Sequence, residues 1–142
     1  MHLPDCPFCQ IALGQAPASV VVREPHALAF LDARPLFEGH VLVIPHQHLP
    51  DLQALGPDDR APLFDLARRI ALALETALGA GGALLALNNK ISQSVAHLHL
   101  HVVPRQRGDG LRGFFWPRRR YASEEQRDEL AARIGKALGA IS

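Results

Sequence analysis

Three histidines stand at alternate positions in Ser94-Val-Ala-His97-Leu-His99-Leu-His101-Val-Val-Pro104. In an extended strand, alternate side chains share a face. Leu98, Leu100 and Val102 then turn to a core, while His97, His99 and His101 project together on the other side. Same-face neighbours lie about 6.5–7 Å apart, so the imidazoles line one phosphate-sized groove. Neutral imidazole has an ordinary pKa of about 6.5 and is largely free base at neutral pH. Such a nitrogen can attack phosphorus and form a covalent phosphoramidate, dividing a difficult hydrolysis into two easier steps. The attacking nitrogen must be bare, so the other ring nitrogen should carry the proton and donate it to a fixed acceptor. A merely solvated strand face accounts for the pattern less well, because three clustered imidazoles repel one another once protonated. A metal site made of this strand alone fares no better. His97 and His101 would lie about 13–14 Å apart at Cα, too far to share one ion.

A second group of reactive side chains is Cys6-Pro-Phe8-Cys9. The Cys-x-x-Cys spacing suits metal or redox chemistry in a reducing compartment. A thioredoxin-like redox pair needs a βαβ frame, which the neighbouring sequence lacks.

These residues need a scaffold, and the sequence outlines one. The chain has 142 residues, 48% hydrophobic and 20% charged, which suits one globular domain spanning 1–142. No apolar run reaches the roughly 18 residues of a membrane span, and the N-terminus lacks the pattern of a secretory signal. The expected location is cytoplasmic. Net charge is +1, so there is no overall drive toward nucleic acid or membrane. Beyond Val103, nine Lys and Arg face five Asp and Glu. The run Arg118-Arg119-Arg120 beside Phe114-Phe115-Trp116 reads either as a solvated surface or as a contact for an anionic ligand.

The pattern predicts a short helix or turn over Phe8–Leu13, a strand over Ser19–Glu24 and its hairpin partner over Ala27–Leu31. Gly39–Ile44 is a strand ended by Pro45, and Asp51–Leu55 a single helical turn. Leu63, Leu66, Ala67, Ile70, Ala71, Leu74 and Leu78 recur at helical spacing within a helix over Asp58–Leu78, stopped at Gly79. Strands follow over Ala83–Leu87 and Val95–Pro104. Ser123 with Gln126 forms a capping box that opens a last helix to about Leu138. The order predicts an α+β fold: an antiparallel sheet of about five strands, one long central helix and a C-terminal helix.

His97-Leu-His99-Leu-His101-Val-Val resembles the motif of the histidine triad (HIT) superfamily of nucleotide hydrolases and transferases. Cys6-Pro-Phe8-Cys9, Phe30-Leu-Asp32-x-x-Pro35, Gly39-His40-Val-Leu-Val-Ile-Pro45-x-x-His48 and Asn88…Gln93-Ser94 resemble its other blocks in order. The likeness covers about 6–105 and leaves 106–142 as a tail with its helix. It implies a HIT-like fold, paired as a homodimer, acting on a purine nucleotide with adenine favoured. His99 would be the nucleophile on an α-phosphate, forming a nucleotidyl-histidine. His101 would contact the phosphate and protonate the leaving group. Gln93 and Ser94 would hold phosphate oxygens, as would backbone N–H groups beside them, and Asp32 would hold the ribose hydroxyls. Phe8 and Phe30 would flank the base, Asn88 would support the ribose-phosphate end, and His40 would line the cavity. The leaving group would belong to a phosphoramidate, a dinucleoside polyphosphate or an adenylyl sulfate, or the pocket would serve a nucleotide-sensing or partner-binding module.

The zinc-containing members imply a structural Zn²⁺ held by Cys6, Cys9, His48 and His97, a closed S2N2 set with no open water position. Pro45-His46-Gln47-His48 offers two candidates for one ligand, and His48 is favoured. His101 in place of Gln argues for a hydrolase over the hexose-1-phosphate uridylyltransferase branch. The loop Asn88–Ser92 is shorter than the Gly-rich family version, with Lys90 and Ser92 where glycines often stand.

Overall fold

Pro45 has no N–H to give a ladder, and its position decides where the histidine-bearing strand begins. The computed structural model describes residues 1–111 and 118–141. It divides into two compact units, Met1–Asp109 and Gly110–Ser142. In the first, α1 (Pro7–Ala12) precedes β1 (Val20–Arg23), β2 (Ala27–Leu31) and β3 (Val41–Pro45). A 3-10 turn (Leu52–Ala54) then leads to α2 (Pro57–Leu78), β4 (Gly82–Ala86) and β5 (Leu100–Arg105). The five strands form one antiparallel sheet in the order β1-β2-β3-β5-β4. The α+β expectation holds, with most boundaries displaced by a residue or two.

The larger displacement concerns β5. Alternation predicts a strand from Val95, yet the ladder with β3 ends at Val43↔Leu100. Beyond it, the Pro45 carbonyl accepts from the His97 ring (3.0 Å), and the Leu98 N–H turns to the Leu49 carbonyl (2.6 Å). His97 and His99 therefore stand on the run-in to β5, ahead of the regular ladder. Their faces are nevertheless as expected.

Alternation divides the sheet cleanly. Ala27, Ala29, Val41, Val43, Leu100 and Val102 pack with Leu98 on one side. There they meet the buried stripe Leu63, Leu66, Ala67, Ile70 and Leu74 of α2. Leu28, Phe30, Leu42 and Ile44 face the opposite way and pack with Cys6, Phe8 and Cys9. Apolar residues buried on both faces explain why β2 and β3 read as continuous hydrophobic runs.

Helix α2 starts with Pro57 in its first turn and ends on Gly79 in the left-handed region (φ 65°), where glycine has no Cβ to clash. Gly39, at φ 94°, is a second required glycine: a Cβ there would meet the Leu78 side chain. It lets the chain turn tightly into His40 and β3. In the second unit, α3 (Glu124–Leu138) begins on Ser123, whose hydroxyl accepts from the Gln126 N–H at 3.1 Å. The Gln126 side chain in turn accepts from the Ala122 N–H. Phe114, Phe115 and Trp116 lie outside the described residues.

Candidate active site and metal cluster

Helix α1 opens on Cys6, whose sulfur accepts from the Cys9 N–H (3.4 Å), and the Leu3 N–H points at the Cys9 sulfur (3.4 Å). Six residues of helix thus bring both thiols to one side. His97 Nδ1 lies 3.5 Å from the Cys6 sulfur and 3.6 Å from that of Cys9, and His48 Nδ1 lies 3.4 Å from Cys9. All four ligand atoms fall within 4.8 Å of one another. A tetrahedral ion with Zn–S of about 2.3 Å and Zn–N of about 2.05 Å imposes an S···N separation of about 3.6 Å. The donor set and its spacing therefore fit a closed four-coordinate metal centre. Both cysteines are free thiols.

Of the two candidates after Pro45, His48 joins the cluster. His46 instead donates from Nε2 to the Glu24 carbonyl (2.7 Å). His97 also donates from Nε2, to Pro45, which leaves Nδ1 bare toward the thiols. Burial lowers the His97 pKa to about 4, against the opposing effect of the Pro45 carbonyl. His48 is lowered too, by burial and then by the terminal ammonium and His2. Burial raises the Cys9 thiol, opposed by the Leu3 N–H. Neutral imidazoles suit a metal, whereas the raised thiol must lose its proton to bind one.

Two residues along the chain, His99 uses its nitrogens the other way round. The His97 carbonyl can only accept, so at 2.7 Å it takes the proton of His99 Nδ1. The bare Nε2 is then the nitrogen available for attack. Phe8 packs edge-on against the ring, with centroids 5.2 Å apart, and against Phe30 at 5.5 Å.

A chain of hydrogen bonds sets the third histidine. The Leu36 N–H donates to His40 Nδ1 (3.1 Å), so neutral His40 carries its proton on Nε2. That proton points at His101 Nδ1, 2.9 Å away, and so the resting His101 bears its own proton on Nε2. Burial lowers the His101 pKa to about 4, and His99 and His40 add to the effect while Asp32 opposes it. Burial likewise lowers His40, and the Asp32 carboxylate, 3.7 Å from its Nε2, opposes. Asp32 is itself held by the Arg34 N–H (2.9 Å).

These groups border a cavity of about 890 Å³. Phe8, Ile11, Phe30, Leu42 and Val95 form its apolar wall, and Asp32, Arg34, Ser94, His99 and His101 its polar one. Of the residues expected at a nucleotide site, Phe8, Phe30, Asp32, Ser94, His99 and His101 line it, and His40 sits behind His101. Asn88 and Gln93 are not in the lining. The Asn88 amide donates to the Ser92 carbonyl (3.1 Å). Gln93 donates to the Pro50 carbonyl (2.6 Å) and accepts from the Lys90 N–H (3.0 Å). Both brace the loop rather than reach the cavity, because Lys90 (φ 71°) and Ser92 (φ 59°) adopt the left-handed conformation and turn it sharply.

Immediately after this loop, the N–H groups of Gln93, Ser94, Val95 and Ala96 donate to no acceptor among the described residues. Successive free amides beside a cavity form an anion-binding surface. Sequence reading missed Arg34, for which the turn at Asp32-Ala-Arg34-Pro35 was a signal, whereas the backbone N–H groups beside Ser94 are among the phosphate contacts that the resemblance implies.

The HIT domain model matches residues 13–108. The chain belongs to the HIT family. Its fold is shared by the protein SMU.412c from Streptococcus mutans, at TM-score 0.87 and 33% identity, covering 96% of this chain and 87% of that one. A Zn-bound histidine triad family protein from Mycobacterium smegmatis is 38% identical, with TM-score 0.72 and coverage of 96% and 98%. Among relatives in sequence, the adenylylsulfatase HINT3 of Arabidopsis thaliana is 34% identical over 109 residues, 75% of this chain and 55% of that protein. No helix among the described residues of this HIT protein is long and apolar enough to cross a membrane.

Proposed function

We propose that this HIT protein is a nucleotide hydrolase or nucleotidyl transferase that attacks the α-phosphate of a phosphoramidate or dinucleoside polyphosphate. The observation that carries the reading is His99, whose Nδ1–H is committed to the His97 carbonyl and whose bare Nε2 borders a cavity holding both an aromatic wall and Asp32. The base packs against the wall that Phe8 and Phe30 form, with adenine favoured, and Asp32 accepts from the ribose hydroxyls. Ser94 and the free amides after Ser92 receive the non-bridging phosphate oxygens. Asn88 and Gln93 hold the loop that presents them.

His99 Nε2 forms a bond to phosphorus as the bond to the leaving nitrogen or oxygen breaks. The charge of the bound phosphate raises the proton affinity of His101, so in the complex it donates from Nε2 to the departing atom. The His97 carbonyl stabilises the positive charge on the nucleotidyl-histidine. Water then attacks phosphorus, its proton passes to His101, and the bond to His99 breaks to release the nucleoside monophosphate. The Zn-bound relative, the S2N2 donor set and its separations support Zn²⁺ on Cys6, Cys9, His48 and His97. That ion would be structural: with four protein ligands it leaves no position for water, and it ties α1 to the catalytic segment. A homodimer in the cytoplasm completes the proposal.

His99→Ala tests it with a fluorogenic adenosine 5′-phosphoramidate. The expected loss of kcat/KM is at least about 10³-fold, with nucleotide binding retained. Turnover within tenfold of the parent would overturn the mechanism.

A further inference from the structure

Of the four donors in the metal cluster, two border open space. Cys6 and His48 line a second cavity, of about 460 Å³, whose walls also include Pro4, Asp5, Pro7, Ser94 and Ala96, all exposed at the surface. Cys9 and His97 do not line it and are completely buried, whereas Cys6 keeps 7% of its surface exposed. The cluster thus has an open side at Cys6 and a sealed side at Cys9. The chain holds only these two cysteines, three residues apart at the start of α1, and the donor atoms of the cluster lie within 4.8 Å of one another. Coordination keeps a sulfur as thiolate, the form that attacks oxidants. A tetrahedral ion with Zn–S of about 2.3 Å holds two sulfurs about 3.8 Å apart, against about 2.05 Å in a disulfide. Bound metal and disulfide are therefore mutually exclusive states of this pair. Between the two cysteines stands Phe8, which packs on the His99 ring at 5.2 Å and walls the larger cavity. His97, at the other side of the cluster, supplies the carbonyl that fixes the His99 ring. The state of the pair thus reaches His99 from two directions.

We infer that Cys6 is an oxidation site for small neutral hydroperoxides, and that its disulfide with Cys9 ejects the metal and disables the His99 site. The inference rests on the proposed metal assignment. A small uncharged oxidant suits the opening, because the Asp5 carboxylate among its apolar side chains repels anionic ones. With hydrogen peroxide, the Cys6 sulfur bonds to one oxygen as the O–O bond breaks. The departing oxygen takes a proton from solvent and leaves as water, and Cys6 becomes a sulfenic acid. The Cys9 sulfur then attacks that of Cys6, the S–S bond forms, and the S–O bond breaks to release hydroxide, which a second proton converts to water. The two cysteines lose two electrons together, and these reduce one peroxide to two waters. Neither sulfur then carries the negative charge that held the ion, and His48 and His97 alone leave half of the tetrahedral set empty.

The test treats the full-length, zinc-loaded protein with hydrogen peroxide, following free zinc with a chromogenic chelator and the cysteines by intact and peptide mass spectrometry. One zinc should leave each chain as one Cys6–Cys9 disulfide forms, a loss of about 2 Da, and both changes should reverse with dithiothreitol and added zinc. Turnover of the fluorogenic adenosine 5′-phosphoramidate should fall at least about tenfold in step with the release and recover with it. Two variants, each lacking one sulfur, compare the open and sealed sides. In Cys9→Ser the Cys6 sulfenic acid has no thiol to resolve it and should be trapped by dimedone. In Cys6→Ser the buried Cys9 should react at least about tenfold more slowly. Cysteine oxidation that leaves zinc bound, zinc loss without a disulfide, equal reactivity of the two variants, or a disulfide with undiminished turnover would overturn this inference alone. Reduced protein that binds no zinc would instead overturn the metal assignment, and reduced protein without turnover the proposed function.

Discussion

Two histidines of the same strand segment, His97 and His99, face the same side yet present opposite nitrogens. His97 donates from Nε2 to Pro45 and turns Nδ1 to the thiols. His99 donates from Nδ1 to the His97 carbonyl and turns Nε2 to the cavity. Residue type and face are shared, so the difference comes from which backbone carbonyl each ring meets. One imidazole becomes a candidate metal ligand and its neighbour a candidate nucleophile, because Pro45 ends the β3 ladder and leaves a carbonyl free for the first. The lesson is that two carbonyl oxygens assign the roles of these rings.

The comparison breaks most severely at the metal side. Cys9→Ala removes one donor of the proposed closed set, and about 3–5 kcal/mol of stability should go with it. Thermal unfolding of the zinc-loaded protein should fall by about 10 °C, and a chelator should produce a drop of similar size in the parent but a smaller one in the variant. An equal drop in both would separate the cluster from stability.

The proposed catalytic side is sharpened by His40, whose Nε2 lies 2.9 Å from His101 Nδ1 and which the proposal makes a positioning residue acting through His101. His40→Ala frees His101 Nδ1 and should lower kcat about 10- to 100-fold with little change in KM. Because His40 helps to hold the His101 pKa down, the alkaline limb of kcat, set by loss of the acid's proton in the complex, should also move to higher pH. A purely structural role would lower kcat without moving that limb.

Acid separates the regions by titration. Folding lowers His101 from about 6.5 to about 4, so the folded state binds its proton less readily than the unfolded chain. The resulting stability is fully present above about pH 6.5 and is lost as pH falls through about 4, a decline of about 2 kcal/mol after allowance for partial exposure. Denaturant unfolding of His101→Gln should show a flatter slope across that window than the parent. Identical slopes would contradict the shift.

The smallest effect is expected at the loop between the two regions. Ser92 occupies the left-handed conformation at φ 59° without being glycine, so Ser92→Gly should stabilise the protein by about 1 kcal/mol. Equilibrium unfolding checks it, and destabilisation would contradict the strain.

Alternation in 94–104 and the helical stripe from Leu63 to Leu74 made the two-faced sheet legible in the sequence, down to which face each histidine takes. The start of β5 was not legible, because it depends on a proline in another strand and on the Leu49 carbonyl. The choice of His48 over His46 rested on resemblance until Glu24 was seen to occupy the His46 ring. Likewise Asn88 and Gln93 turn into their own loop, a consequence of two positive φ values that residue identity alone does not disclose. Ring tautomers lay furthest from view, since they depend on acceptors brought together only by folding.

The central claim is that His99 becomes covalently bonded to the nucleotide. Rapid acid-free quenching of the His101→Ala protein with an adenosine phosphoramidate, followed by intact and peptide mass spectrometry, tests it most directly. The account predicts one adenylyl group per chain, on His99. An adenylyl group on another residue, or substrate consumed with no adduct at any time, would contradict it.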